Sequence, residues 1–551
     1  MLEMILLESL PARVYLRQCG ALDYLVQRLC GGGLGQPIDV QRLGSNAEPP
    51  APAVEVGTDG SFEVPGSATP SESTTAEPST SAEALEASDT TPNRSNSEAD
   101  EDPERTLAAL AAAVKEERKS QLLVLGGGAL QAAGKLLKGG VDSQALELRA
   151  ASARLLHVCT TTEEACEYMG RNKWIIQGLL QLLGEEGGKG TGAADAAAIV
   201  RELLAAGKNG KSSPLGTMLT CKSPGLVHAL SSALHLQLGL QKKEKGGHSS
   251  DASVAICGAL ANLGLHERGR AALSELQQEP SVVSALLGAV RSPRSTDQAR
   301  SLALAALMNA CVEPSGAFRA SVHELGGVTL LLATLAVPEE RMQAETRSRV
   351  AGALYRVMGF ASAVRAVAAP RAFRVVLQAL KGASTATGTQ RLKQEKGPIN
   401  DLREHLIRII ASVLKLSELR TAALMDEIKK AGTIQCLLHL LPPARRDALA
   451  GKVTRDTVAL APEWRVSEAL GANICSCLIH LLDDLASPAV QQIALSGGIE
   501  QLLSLFANSS TAVRKNAAVC IAKMARHADW KGRIEELRGI EMLLETSKSI
   551  V

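Results

Sequence analysis

The stretch of the chain that comes nearest to a catalytic motif is AAGKNGKS, from Ala205 to Ser212. A phosphate-binding loop of the pattern G-x-x-x-x-G-K-S/T holds phosphates with main-chain N–H groups and a lysine, and Gly210, Lys211 and Ser212 match its second half. Such a loop follows a strand. Here the preceding residues, ADAAAIVRELL, have the pattern of a helix, and Ala205 replaces the first glycine. The pattern therefore predicts a solvated loop between helices and not a nucleotide site.

The remaining candidates for chemistry are also incomplete. The ten histidines form no HExxH motif, and His228 and His235 share a helix face with no carboxylate or thiolate nearby in sequence to complete a metal site. The adjacent pair Asp483-Asp484 would point apart on a helix. No G-x-S-x-G elbow occurs, and no cysteine lies in a nucleophile motif. We therefore expect a protein that is not an enzyme and that has no metal and no cofactor.

The eleven cysteines are an odd number, scattered through apolar helical runs without any CxxC pair. Cys475 and Cys477 are two residues apart, so on a helix they point to different faces and cannot share a metal ion. A free cysteine behaves as a small core residue. We predict reduced structural thiols in a reducing compartment.

Composition limits the classes of protein that fit. Hydrophobic residues make up 45% of the chain but aromatic residues only 2%, so the core must consist of Ala, Leu, Val and Ile. This disfavours aromatic sugar platforms, base-stacking nucleic-acid modules and most antiparallel β folds. No apolar run reaches the ~18 residues of a membrane span, and the acidic N-terminus MLEMILLESL is unlike a secretory signal. We expect a soluble protein of the cytosol or nucleus, with a cytoplasmic localisation as the main prediction.

Charge divides the chain into a basic body and one acidic segment. Residues 44–105 carry 14 acidic and 2 basic side chains, a net charge of −12, and the chain total of +1 leaves +13 for the rest. The surrounding stretch, 31–105, is rich in Pro, Ser, Thr and Glu and has too little apolar area to offset the entropy lost on ordering. We predict a disordered acidic insertion there.

From residue 106 onward almost every segment has the period of a helix, and a repeat is visible. Gly498-Ile499 opens EQLLSLF, and 41 residues later Gly539-Ile540 opens EMLLE. Alanine-rich helices with a common core lie between such openings, as in SVAICGALANLG and VRKNAAVCIAKMA. A period of 40–47 residues built from two or three helices is typical of armadillo and HEAT solenoids.

The opening G-I-x-x-L-L-x-L, followed by V-R-x-N-A-A-x-x-I-A, resembles the armadillo repeat more than HEAT. The match is strong over 466–548 and 250–360 and weaker elsewhere. The resemblance implies an all-α armadillo-type solenoid, a superhelical stack of two- and three-helix repeats, with glycine pairs at the tight turns. The predicted organisation is a partial armadillo repeat or cap (1–30), the disordered insertion (31–105), armadillo repeats (106–379), a loop (380–400) and C-terminal armadillo repeats (401–551).

The ending RIEELRGIEMLLE is similar to the armadillo region of the tetratricopeptide repeat protein 12 family. That family joins an N-terminal tetratricopeptide domain to armadillo repeats and assists the cytoplasmic assembly of axonemal dynein. The similarity covers about the last 80 residues. The tetratricopeptide domain has no counterpart in this sequence, so chaperone docking by that domain does not carry over.

In armadillo proteins the third helix of each repeat lines a concave groove, and an asparagine there binds the backbone of an extended peptide. Two asparagines match this position in the A-L-x-N cores, and other residue types occupy it elsewhere, three of them able to be cationic near neutral pH. This departs from the regular asparagine ladder of importins and implies a basic groove for extended or acidic protein segments. The predicted groove residues are His157, Asn262, Asn309, Arg356, His480 and Lys523.

The predicted function is a non-enzymatic protein-binding scaffold. By family analogy it is a cytoplasmic assembly factor or co-chaperone for motor proteins such as axonemal dynein, with motor heavy chains and chaperones as partners. One alternative is a general armadillo adaptor in trafficking or nuclear import, and another is a non-catalytic fragment of a ubiquitin ligase. Nucleic acid is disfavoured because aromatic residues and arginine clusters are lacking. A further hypothesis places the chain's own acidic segment, 44–105, in the groove.

Overall fold

The structure consists of helices throughout the part of the chain that can be described. The computed structural model describes residues 22, 25–26, 103–115, 118–126, 128–137, 143–184, 192–206, 214–220, 225–243, 249–275, 281–385, 397–442, 467–483, 488–508 and 510–548. No strand occurs within these ranges.

The helices are numbered in chain order. The first thirteen are α1 (Pro103–Val114), α2 (Arg118–Gly126), α3 (Ala129–Leu136), α4 (Ser143–Cys159), α5 (Glu163–Arg171), α6 (Lys173–Gly184), α7 (Gly192–Ala206), α8 (Pro214–Leu219), α9 (Leu226–Lys243), α10 (Ser249–Leu263), α11 (Glu267–Glu275), α12 (Val282–Arg291) and α13 (Asp297–Ala310). The others are α14 (Ala317–Glu324), α15 (Gly327–Leu335), α16 (Ala344–Val357), α17 (Ala361–Ala368), α18 (Pro370–Thr385), α19 (Pro398–Lys415), α20 (Ala422–Lys430), α21 (Thr433–Leu440), α22 (Glu468–Leu481), α23 (Pro488–Leu495), α24 (Gly498–Ser504), α25 (Thr511–Met524), α26 (Ala528–Glu536) and α27 (Gly539–Lys548).

Local sequence accounts for these helices. Alanine and leucine, which have high helix propensity, dominate the longer ones, as in DQARSLALAALMNA of α13. Helices α13, α20 and α22 begin after Thr296, Thr421 and Ser467, whose side-chain oxygens each accept a hydrogen bond from the N–H three residues later. Such caps satisfy an N–H group that has no partner within the helix.

The helices repeat in threes, and the third helix of each unit forms one continuous row. Helix α1 packs on α4, and then α4, α7, α10, α13, α16, α19, α22 and α25 each pack against the next. The second helices, among them α9, α12, α15 and α18, form a parallel row behind it. Within the described ranges α2 to α25 make eight such units. This succession of stacked repeats is an all-α armadillo-type solenoid, as the sequence predicts.

The core between the two rows is aliphatic. Alanine, leucine, valine and isoleucine fill it, and Phe318 and Phe373 are the aromatic residues among its largest fully buried side chains. The prediction of an aliphatic core is therefore confirmed. Because each unit leaves an apolar face that only the next unit covers, stability arises from the stacking.

A glycine pair forms the turn between the first two helices of a repeat. Gly497 has a φ of +73°, a left-handed conformation that disfavours a side chain, and a Cβ on Gly498 would lie 2.7 Å from the carbonyl oxygen of Ile493. Gly326 adopts the same conformation. This confirms the tight turns predicted for the glycine pairs. Before α27, Arg538 takes the place of the first glycine and has a φ of 56°.

Several predicted segments fall partly or wholly outside the described residues. Of the predicted N-terminal cap, Leu22, Leu25 and Val26 are described, and Leu22 and Val26 are buried in the core. The predicted acidic insertion, 31–105, lies outside except for 103–105, which are the first turn of α1 and are therefore helical. Within the predicted loop 380–400, residues 380–385 and 398–400 are helical. Residues 207–213 lie outside the described ranges, and the residues that precede them form helix α7, as the rejection of a phosphate-binding loop requires.

Candidate protein-binding groove

The predicted groove residues occupy nearly the same place on successive third helices. Asn262, Asn309, Arg356, His480 and Lys523 are each the residue before the last one of α10, α13, α16, α22 and α25. We call this the ladder position. The sixth predicted residue, His157, lies two residues before the end of α4. Five of the six residues thus share one position at the ends of their helices and His157 is one residue away from it, while their role as groove residues stays a prediction.

The ladder asparagines connect neighbouring third helices. The Nδ2 atom of Asn309 donates to the carbonyl oxygen of Ala261 at 3.0 Å, and Nδ2 of Asn262 donates to the carbonyl oxygen of Arg201 at 3.0 Å. In a continuing helix the N–H of Leu265 would donate to the carbonyl oxygen of Ala261. It donates to the carbonyl oxygen of Asn262 instead. Asn309 therefore satisfies a carbonyl at the end of the preceding third helix, whereas the carbonyl of Arg201 lies five residues before the end of α7. Each amide nitrogen keeps a second N–H for a ligand.

Two of the cationic ladder residues meet at one carboxylate. Lys523 donates to the carbonyl oxygen of Ile479 at 3.2 Å and pairs with Oδ1 of Asp483. Arg420 donates to Oδ2 of Asp483 at 2.8 Å and to the carbonyl oxygen of His480 at 2.8 Å. Nδ1 of His480 lies 3.6 Å from Oδ2 of Asp483. The C-terminal part of the ladder is therefore an ion-pair network within the solenoid.

The environment of this network shifts two pKa values. Burial disfavours ionisation of Asp483, but hydrogen bonds from Lys523 and Arg420 outweigh it and lower the pKa of Asp483. Burial, with the positive charges of Arg420 and Lys523, lowers the pKa of His480 against the opposing effect of Asp483. His480 is therefore favoured in its neutral form near neutral pH, and the positive charge of the network resides on Arg420 and Lys523.

The other two basic residues of the predicted groove, His157 and Arg356, differ in their surroundings. Nδ1 of His157 lies 2.7 Å from Oδ1 of Asp195 on α7, so His157 has an acidic partner in the next repeat. Arg356 is exposed, and its guanidinium carbon lies 5.9 Å from the centre of the Tyr355 ring. Arg408, from α19, lies 5.6 Å from the same ring centre. The structure thus brings His480 and Lys523 together at Asp483 and leaves Arg356 pointing to solvent in the middle of the row.

Some residues of this surface were not identified from the sequence. Arg420 lies 60 residues before His480 in the chain, and no local pattern connects the two. Tyr355 and Arg408 likewise meet only through packing of α16 on α19. Asn516, by contrast, lies in the V-R-x-N-A-A motif and donates to the carbonyl oxygen of Ala472 at 3.0 Å. The motif was a usable signal for an asparagine that bridges α22 and α25.

The described cysteines are structural in character. Seven of the eight are buried, and Cys436 is half-buried. Burial raises the pKa of Cys159, Cys257 and Cys311 to about 12. Such thiols are poor nucleophiles because the thiolate is scarcely populated. The prediction that cysteines act as small core residues is confirmed for these positions.

Two features are absent from the described part of the chain. No group of three or more His, Cys, Asp or Glu side chains is arranged there to hold a metal ion. Among the helices of that part, none has both the length and the apolar character needed to cross a bilayer.

Comparison with known proteins yields similarity at the level of structure. No family model matches the chain, and no curated protein sequence matches it. An engineered protein from the Northeast Structural Genomics Consortium has a TM-score of 0.46 and 16% identity, over 77% of this chain and 95% of that one. A second engineered protein from the same consortium has a TM-score of 0.36 and 16% identity, over 53% and 96%.

The third similar structure comes from a study of a conserved phosphorylation switch in the interaction between cadherin and β-catenin. Its TM-score is 0.40 and its identity 12%, over 77% of this chain and 88% of that one. None of the three scores reaches 0.5. The assignment of the solenoid therefore depends on the packing of the chain's own helices.

Proposed function

We propose that the chain is a non-enzymatic protein-binding scaffold whose ligand lies along the ladder positions. The observation that carries this proposal is the unbroken row of third helices from α1 to α25, each packed on the next. Such a row gives an extended surface with a repeated register, which suits an extended segment of another protein. The second N–H groups of Asn262 and Asn309 are suitable donors to the main chain of such a segment.

The partner segment is proposed to be acidic. The chain outside 44–105 has a net charge of +13, and Arg356 is exposed at the middle of the ladder. His157 and Lys523 already have carboxylate partners, so the attraction for an acidic segment is concentrated near Arg356. Electrostatic complementarity of this kind increases association rates and selects partners.

The more specific role is an assembly factor or co-chaperone for motor proteins such as axonemal dynein, active in the cytoplasm. Its support is the similarity of RIEELRGIEMLLE to the tetratricopeptide repeat protein 12 family. The alternatives are a general armadillo adaptor in trafficking or nuclear import and a non-catalytic fragment of a ubiquitin ligase. The domain boundaries predicted above are part of this proposal, except that residues 103–105, 380–385 and 398–400 are helical.

Affinity purification of the tagged full chain, followed by chemical cross-linking and mass spectrometry, tests the proposal. A scaffold should yield stable partners cross-linked to lysines on the third helices, such as Lys415 and Lys523. Motor heavy chains with Hsp90 or Hsp70 would support the assembly role. Importins or vesicle-traffic proteins would support the adaptor, and ubiquitin-conjugating enzymes the ligase fragment. Absence of any partner cross-linked to the third helices would contradict the scaffold.

A further inference from the structure

Two arginines without an acidic partner lie where α13, α14 and α16 meet. The side chains of Arg319, on α14, and Arg356, on α16, form no hydrogen bond and no ion pair with any residue that the structure describes. The guanidinium of Arg319 lies against Gly359, in the turn that follows α16, and Arg356 is the residue before the last one of α16. Both arginines therefore lie at the C-terminal end of the same third helix.

Packing holds Arg319 in place without an ion pair. Its guanidinium carbon lies 5.7 Å from the centre of the Phe360 ring, a cation–π arrangement. A Cβ at Gly359 would collide with Nη1 of Arg319, so the guanidinium lies against the turn three residues after Arg356. The Nε atom of Arg319 is buried and has no hydrogen-bond partner in the described structure. The side chain is therefore positioned while its Nε–H has no acceptor among the described residues.

The acidic side chains described nearby form no ion pair with Arg319 or Arg356. Glu313, six residues before Arg319, accepts hydrogen bonds from the N–H of Ser315 at 2.7 Å and the N–H of Gly316 at 3.1 Å. Its carboxylate is thus used within its own turn. Arg408 stacks on Tyr355 beside Arg356 and keeps Glu404 as its partner at 2.5 Å.

A stacked guanidinium still has N–H donors along its edge, and these match the two oxygens of a carboxylate or the oxygens of a phosphate. Polar groups left unsatisfied on burial are costly, and an oxyanion would satisfy them. We propose that Arg319 and Arg356 form a binding site for an oxyanion carried by an acidic segment of a partner protein. This inference rests on the proposed scaffold function and names the part of the surface that recognises charge.

The test is fluorescence anisotropy with the full chain and three labelled octapeptides. One contains only glutamate, one has a central phosphoserine among glutamates, and one has glutamine throughout. The variants are the double change Arg319→Ala with Arg356→Ala, and Gly359→Ala, which displaces Arg319 while conserving every charge. Arg291→Ala, at an exposed arginine on α12, is the matched control. Circular dichroism and thermal unfolding verify that each variant is folded.

We expect the acidic peptides to bind, the glutamine peptide not to bind, and the double variant to weaken binding at least about tenfold. Gly359→Ala should also weaken binding. The control Arg291→Ala should weaken it by less than about twofold. Stronger binding of the phosphoserine peptide would identify phosphate as the source of the oxyanion, and equal binding would identify carboxylate. Binding by the double variant equal to that of the wild type would overturn the inference, as would no binding of either acidic peptide to the wild type.

The failure of this site and the failure of the scaffold have different signatures. If the double variant retains its cross-linked partners and its peptide affinity, the oxyanion site is wrong and the scaffold stands. If the wild-type chain has no partner cross-linked to the third helices, the scaffold itself is wrong, whatever the peptides do. Weaker binding by Gly359→Ala could not be attributed to net charge, because this variant keeps every charged residue.

Discussion

The amide nitrogen of Asn309 and the carbonyl oxygen of Ala261 are 3.0 Å apart, and this hydrogen bond joins two consecutive third helices. Asn262 makes the equivalent bond to Arg201, and Lys523 makes it to Ile479 with its ammonium group. The ladder position therefore has a structural role before any ligand is considered. It bonds carbonyl groups of the preceding third helix, and two of these, of Ala261 and Ile479, lie at the end of that helix.

Replacing Asn309 by Ala should therefore loosen the contact between α10 and α13. The buried carbonyl of Ala261 would lose its donor, at a cost of about 1–2 kcal/mol. Native-state hydrogen exchange should show faster opening of main-chain amides in these two helices and unchanged exchange in α22 and α25. Asn473→Ala is the matched control, because Asn473 is also half-buried on a third helix but no hydrogen bond of its side chain is observed in the described structure. Equal exchange in both variants would contradict the structural role.

Asp483 should make stability depend on pH. Its pKa is lowered in the folded chain, so the folded state binds fewer protons at this group than the unfolded state. The stabilisation is present at neutral pH and is lost as the pH falls below the unfolded value of about 3.9 toward the folded pKa. In Asp483→Asn that contribution is absent at every pH.

Urea unfolding midpoints of the wild type and Asp483→Asn, measured from pH 7 to pH 3, test this point. The wild type should be the more stable at pH 7, and the difference should shrink as the pH falls below about 4. Asp426→Asn, a change at an exposed carboxylate, is the control and should have little effect. If the difference in midpoint between the wild type and Asp483→Asn were constant from pH 7 to pH 3, the pKa of Asp483 would not change on folding.

The two glycines of one turn should respond differently to alanine. Gly497→Ala meets no atom within 4 Å but must hold a φ of +73°, which costs about 1–2 kcal/mol. Gly498→Ala places a Cβ 2.7 Å from the carbonyl oxygen of Ile493, so main-chain atoms must move and the loss should be larger, about 3 kcal/mol.

Arg538→Gly tests the equivalent turn before α27 in the opposite direction. Arg538 has a φ of 56°, and glycine there relieves the strain of the left-handed conformation. The melting temperature should be highest for Arg538→Gly and should decrease through the wild type and Gly497→Ala to Gly498→Ala. Equal melting temperatures for the two glycine variants would contradict the proposed close approach at Gly498.

The described cysteines should differ in reactivity. Burial raises the pKa of Cys436 as well, but this thiol is only half-buried, whereas Cys159 and Cys257 are fully buried. Iodoacetamide at pH 8, followed by peptide mass spectrometry, should label Cys436 first among these three. Cys159 and Cys257 should react only when urea unfolds the chain. Early labelling of Cys257 would indicate that α10 opens more readily than its packing implies.

The sequence by itself determined the helices, their grouping in repeats, the aliphatic core and the ladder register. These features depend on periods and on local residue types, such as the alanine-rich cores and the glycine pairs, which are readable along the chain. The partners of the ladder residues were decided by tertiary structure alone. Arg420 and His480 lie 60 residues apart, and Arg319 and Arg356 lie on the first and third helices of one repeat. The solenoid places the end of each third helix beside residues from adjacent repeats. For this reason only the folded stack shows that Lys523 is paired with Asp483. Only the folded stack likewise shows that Arg319 and Arg356 have no acidic partner among the described residues.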